Sequence, residues 1–268
     1  MDIIQVITDE LKVQKWQVEA AVKLIDEGCT IPFISRYRKE ATGSLNDEQL
    51  RTLHERLLYL RNLEDKKNQV LTSIEEQGKL TSELKKQILD AKTLVVVEDL
   101  YRPYRPKRRT RAIIAKEKGL EPLANIIMLQ MTKKPLEEEA KAFLSEEKGV
   151  ETVEDALNGA KDILAETISD EADYRIYIRD LTMKKGSVAS AAKKPEESSV
   201  YEMYYEFEEP IKKLAGHRVL ALNRGEKEKI LTVKVNAPEE EILGWLQKQV
   251  LAKDNPITTP VLRGGVED

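Results

Sequence analysis

Between residues 101 and 111 two tyrosines alternate with six cations: Tyr101, Arg102, Tyr104, Arg105, Lys107, Arg108, Arg109 and Arg111. An arginine presents a planar fork that can grip a phosphate through two hydrogen bonds, and a tyrosine ring offers a face to an unstacked base. Pro103 and Pro106 keep this run out of regular helix, so several of its side chains could reach one polyanionic backbone. The same residues have another use, because arginines in an irregular loop can tie it to surrounding acidic helices. A second basic group, Arg36, Arg38 and Lys39 in TIPFISRYRKE, either extends a nucleic-acid-binding patch or forms part of a core with a buried ion pair.

Charge distribution makes the first run conspicuous. The chain of 268 residues holds 44 Lys and Arg against 48 Asp and Glu, a net charge of −4. Residues 102–118 contain eight cations and one acid, Glu117, and without them the balance is 36 against 47. One basic segment therefore sits on an acidic body, which points to a polyanionic partner or an acidic docking surface.

Other chemistry finds little support. No phosphate-binding loop, dinucleotide fingerprint, nucleophile elbow or zinc-protease motif occurs. Two histidines and Cys29 are too few for a Cys/His zinc cluster. His54 falls inside a leucine-rich helix and His217 in the first turn of another, neither placed for a catalytic triad. Asp170 and Asp173 could share one helix face with Glu166 nearby and hold a metal. Beside Arg175 and Arg179, that pattern equally describes a salt-bridged surface. We expect no enzyme activity, no metal and no cofactor. Cys29 cannot form an intramolecular disulfide, the first residues lack a signal-peptide pattern, and no apolar run reaches the ~18–20 residues that span a bilayer. The expected location is the cytoplasm, without membrane association.

The elements that must position these side chains are mostly helical. Charged residues reach 34% and aromatics only 5%, a composition suited to long helices with one buried stripe. Ile3, Ile4, Ile7 and Leu11 form one stripe, and Val18, Ala21, Val22 and Ile25 another, closed by Gly28. Asn46 with Gln49 reads as a capping box opening a long helix through Leu50, Leu53, Leu57, Leu60, Leu63, Val70 and Ile74 to Gly78. Further helices are expected after Thr81, in TLVVVEDLY (whose β-branched content would also suit a strand), in RAIIAKEKG, in PLANIIMLQ with Pro122 at its first position, and from Pro135 to about Leu144. Thr152 with Asp155 opens a second long helix that runs to Gly186. GSVASAAKK and KILTVKV read as paired strands, with helices around 198–208, 216–227 and 239–252. The fold class is mainly α: an elongated multi-helix assembly over 1–186 and a small α/β appendage over 187–268. NPITTPVLRGGVED shows no closing element, as in a piece cut from a longer chain.

Four strings carry a resemblance: IPFISRYRKEATGSLNDEQL, VEDLYRPYRPKRRTRAIIAKEKGLEPLA, AKDILAETISDEADYRIYIR and HRVLALNRGEKEKILTVKV. In this order they resemble the N-terminal region of the Tex family of bacterial transcription accessory proteins. The resemblance implies a helical scaffold with a helix-turn-helix-like element, and a longer protein continuing into YqgF-like, helix-hairpin-helix and S1 domains. It further implies weak binding of RNA or DNA by this region, since the S1 domain is the family's main binder, and docking onto those domains or RNA polymerase. A scaffold making only protein contacts is the alternative.

Overall fold

The computed structural model describes residues 2–253 and 255–267. It is mainly α-helical, with one small antiparallel sheet toward the C-terminus. The chain divides into two compact units, 1–104 and 105–268.

In the first unit the helices are α1 (Ile3–Leu11), α2 (Lys15–Asp26), α3 (Ile31–Tyr37), α4 (Asp47–Glu76), α5 (Ser82–Asp90) and α6 (Leu94–Tyr101). The spine is α4, whose 30 residues extend about 45 Å at 1.5 Å each. Its start is fixed by the expected capping box: Asn46 Oδ1 accepts from the Gln49 amide at 2.8 Å, and Gln49 Oε1 accepts from the Asn46 amide at 3.0 Å. Its 3-and-4 spacing buries Leu50, Leu53, Leu57, Leu60, Leu63, Val70 and Ile74 against Ile7, Val18, Ala21, Ile34, Ile88 and Val97 from the flanking helices. Two forked ion pairs lash the shorter helices to it. Arg56 grips Glu10 at 2.6 and 2.7 Å, and Arg61 grips Asp26 at 2.7 and 2.9 Å.

Lys67 interrupts the apolar seam of α4, in the slot between Leu63 and Val70. It is 1% exposed. Its ammonium donates to the Leu89 carbonyl at 2.7 Å and lies 3.2 Å from Glu64, so the end of α5 is pinned to the spine. A buried charge so arranged has its hydrogen bonds supplied by the protein in place of water.

The second unit contains α7 (Arg111–Glu117), α8 (Glu121–Leu129), α9 (Leu136–Lys141), α10 (Val153–Asp170), α11 (Ala172–Lys185), α12 (Gly216–Lys227), α13 (Glu239–Val250) and α14 (Thr259–Glu267). Here α10 is central. Ala156, Ala160, Ile163, Leu164 and Ile168 meet Ala112, Ala115, Leu123, Ile127, Leu246 and Leu262. Small residues allow this closeness: a methyl group on Gly159 would run into Leu120 Cδ1 and stand 3.3 Å from Ala115 Cβ. The sheet has the order β2-β1-β3, from β1 (Ser187–Ala192), β2 (Glu206–Pro210) and β3 (Leu231–Asn236). Ala189 stands opposite Glu208 on one side and Lys234 on the other. Tyr201, Leu222 and Leu231 form its own small core under α12.

The expected pairing of the two strands is found, as are the helices at 94–101, 216–227 and 239–250. Four expectations need correction. The second long helix is two helices, because Glu171 takes an extended backbone (φ −66°, ψ 116°) that ends α10 and starts α11. Asp170 and Asp173 thus lie on different helices. No helix covers 198–208; a 3-10 turn at Glu202–Tyr204 leads into β2, which completes the sheet on the free side of β1. Pro122 is the second residue of α8 rather than the first. The final segment is not structureless: it forms α14, which buries Leu262 and Val266 in the core around α10. The sequence suggests a boundary at 186/187, where β1 begins, whereas packing divides the chain at 104/105, since α7–α11 and α13–α14 share one core.

Candidate nucleic-acid interface

The tyrosine–arginine run straddles the division between the two units, and its halves are held separately. In the first unit Tyr101 ends α6, and its hydroxyl lies 3.0 Å from Ser73 Oγ. Lys66 Nζ sits 5.9 Å from that ring's centroid. Tyr104 ends a 3-10 turn at Arg102–Tyr104, and its carbonyl accepts from Gln77 Nε2 at 2.9 Å. Both rings pack against the core of their unit, which occupies much of the surface a base would need. Arg102 is exposed but engaged.

In the second unit the cations answer acids of that unit. Lys107 is half-buried between two carboxylates of α10, 3.3 Å from Glu166 and in direct contact with Asp170. Thr110 joins the cluster by donating to Glu166 at 3.0 Å, while its hydroxyl also accepts from the Ile113 amide and caps α7. The ammonium offsets a carboxylate at the C-terminal end of α10, where the helix dipole disfavours negative charge. Arg109 pairs with Glu117 at 3.2 Å and Arg111 with Asp162 at 3.5 Å. Arg105 is exposed and engaged; Arg108 is exposed and makes no ion pair among the described residues.

The second basic group lies open. Thr30 precedes α3 in an extended conformation, and Pro32 sits in its first turn. Ile34 is the residue of this helix that is fully buried, so its neighbours one and two positions away turn outward. Phe33 and Tyr37 are 38% and 61% exposed, with ring centroids 5.4 Å apart. The Arg38 guanidinium lies 5.4 Å over the Phe33 ring. Arg36, Arg38 and Lys39 are all exposed and make no ion pair among the described residues; exposed Glu40 is their acidic neighbour in sequence.

The turn after α3 is rigidly built. Buried Thr42 donates to the Arg38 carbonyl at 3.2 Å, and Gln17 Nε2 donates to the Gly43 carbonyl at 2.9 Å. Gly43 has φ +61°, and a Cβ there would stand 2.5 Å from the Trp16 ring. Only glycine allows both the left-handed backbone and this close approach. Trp16 itself is 52% exposed, with one part of its indole seated on this turn.

The remaining chemical candidates are held apart or occupied. Glu166 and Asp170 bracket Lys107, and Asp173 lies in the first turn of α11. Among the described residues no group of three or more His, Cys, Asp or Glu could hold a metal. His217 is exposed in the first turn of α12. His54 is half-buried and lines a cavity of about 500 Å³ with Cys29, Ile31 and Arg51. The cationic seam residue Lys67 escaped sequence reasoning, although its 3-and-4 spacing from Val70 and Leu63 marked the position.

Comparison with known proteins bears on the same segments. Residues 1–75, which contain α3, match the Tex-like protein N-terminal domain, and residues 130–256 match the Tex central region-like family. This chain belongs to the Tex family. Its relatives include YdcI of Bacillus subtilis, 47% identical over 98% of this chain, and the transcriptional accessory protein Tex of Neisseria gonorrhoeae, 42% identical over 87%. A human relative, S1 RNA-binding domain-containing protein 1, is 32% identical over 91%. The chain spans 37%, 31% and 25% of the lengths of these three proteins. No helix among the described residues is long and apolar enough to cross a membrane.

Proposed function

We propose that this Tex chain is a helical scaffold within a transcription accessory protein, and that it contacts RNA or DNA through the cations of α3 and the turn that follows. The observation that carries this reading is the contrast between the two basic groups. Lys107, Arg109 and Arg111 are paired with Glu166, Asp170, Glu117 and Asp162, leaving Arg108 of that group without an ion pair, whereas Arg36, Arg38 and Lys39 all lie exposed without ion pairs among the described residues. Cations already facing carboxylates gain little by moving to phosphate, because one ion pair is exchanged for another. Open ones release counterions from the nucleic acid at no such loss. The name of the gonococcal relative supports the transcription setting.

The test is a salt titration of binding to single-stranded RNA and duplex DNA. Three phosphate contacts give a slope of log K against log[salt] near −2 on single strands and near −2.7 on duplex, from ~0.7 and ~0.9 per contact. Replacing Arg36, Arg38 and Lys39 with Ala should remove most of that slope. A slope unchanged by this triple substitution refutes the reading.

The pairing of Lys107, Arg109 and Arg111 favours a second reading, in which the scaffold only docks other protein parts: YqgF-like, helix-hairpin-helix and S1 domains, or RNA polymerase. Capture of such a partner by a chain that binds no nucleic acid would select it. In both readings we expect the chain to have no catalytic task; Glu166 and Asp170, the carboxylates best placed to suggest one, bracket Lys107. A divalent-metal cleavage assay should give no turnover.

A further inference from the structure

The α3 surface carries more than charge. Three aromatic side chains are exposed on or beside it: Phe33 and Tyr37 on the helix, and Trp16 seated on the turn that follows. Exposed rings cost solvation, and a patch meant only for phosphates has no need of them. Phe33 and Tyr37 have ring centroids 5.4 Å apart with their planes tilted 46° to one another, and Arg38 lies 5.4 Å over one face of Phe33, so the rings and the guanidinium are gathered before any ligand arrives. The Arg38 carbonyl accepts from Thr42, and Gln17 braces Gly43, so the backbone beneath is fixed. Rings in a paired, stacked duplex cannot be reached by such a platform, whereas unpaired bases can stack on it while the sugar–phosphate backbone meets nearby cations.

We propose that α3 and its turn form a stacking site for single-stranded nucleic acid, with Tyr37 and Phe33 receiving bases and Arg36, Arg38 and Lys39 holding the intervening phosphates. This rests on the reading given above and narrows it from nucleic acid to unpaired strands. Trp16 borders the site and reports on it. Of the two tryptophans in the chain, Trp245 belongs to the other unit, stacked on Tyr177 with centroids 3.8 Å apart.

The experiment uses the whole chain carrying Trp245→Phe, so that Trp16 is its one indole, titrated with a single-stranded oligonucleotide and with the same sequence as duplex. Tight single-strand binding should quench Trp16, and the duplex should bind more weakly. Phe33→Leu and Tyr37→Leu keep apolar bulk and remove the rings. Each should weaken single-strand binding about tenfold, from the known worth of a base–aromatic stack. Tyr37→Phe should bind as the parent does, and circular dichroism should confirm unchanged helix content in every variant. If the Arg36, Arg38 and Lys39 substitutions abolish binding while both Leu variants bind normally, stacking is overturned and the phosphate contact stands. Preference for duplex overturns it likewise. If neither set of substitutions alters binding, both readings fall together.

Discussion

Lys67 offers the sharpest test of how the first unit is held together. Truncation to Ala removes three buried methylenes, worth about 0.8 kcal/mol each, and leaves the Leu89 carbonyl without the ammonium it accepts from at 2.7 Å. Losing a partner from a buried polar group adds about 1–3 kcal/mol, so Lys67→Ala should cost about 3–5 kcal/mol. Lys67→Met separates the two contributions. Its thioether refills most of the space and removes the burden of a desolvated charge, leaving a cost of about 1–3 kcal/mol from the orphaned carbonyl and the partner lost by Glu64. The assay is urea unfolding followed by Trp16 emission, with Trp245→Phe in the background. With a slope of about 1–1.5 kcal/mol per molar, a loss of 4 kcal/mol moves the midpoint by about 3 M. A shift under about 0.5 M for Lys67→Ala, or greater damage from Met than from Ala, would refute the claim that this ammonium and its stem are part of the core.

Three further outcomes follow from the packing and the charges. Gly159→Ala should destabilise the second unit by about 1 kcal/mol despite alanine's better helix propensity, because the new methyl meets Leu120 and Ala115; thermal unfolding followed at Trp245 checks it. The hydrogen bonds from Arg61 hold the Asp26 carboxyl below its usual value of 3.8, with burial opposing them. The folded-state value being the lower one, this pair stabilises fully above pH ~4 and loses its effect as pH falls through the folded value. Arg61→Gln should therefore cost about 0.5 kcal/mol at pH 7, the pair being partly exposed to screening water, and nothing near pH 2; converging urea midpoints in acid are the signature. Lys107→Met should remove the ammonium that sits between Glu166 and Asp170 and cost about 1–3 kcal/mol, yet leave the salt slope of nucleic-acid binding as it was.

What could be read in advance was whatever repeats along the chain. The leucines of α4 announce a helix by their spacing, Asn46 and Gln49 announce its start, and the alternation in KILTVKV announces β3. The break at Glu171 was hidden because Ser-Asp-Glu-Ala-Asp contains nothing a helix forbids; a pair of carboxylates held from outside by Lys107 has no local sign. β2 was hidden because the Glu and Met residues in and before it favour helix. Its strand state comes from β1, with Phe207 and Glu209 turned inward, the latter held by Arg218 at 2.7 Å. The candidate site divided the same way. Residue types picked out both basic groups, but charge spacing cannot say which cations are spent. Partners more than fifty residues away decide it, as Asp162, Glu166 and Asp170 do for Arg111 and Lys107.

The turn that presents Arg38 and Lys39 runs straight into the Asn46 cap, and from there α4 continues for 30 residues without a proline, a glycine or a break. Such a rod resists bending and torsion. A ligand that pulls on the turn would therefore load α4 as one body, together with α5, which Lys67 fastens toward its C-terminal part.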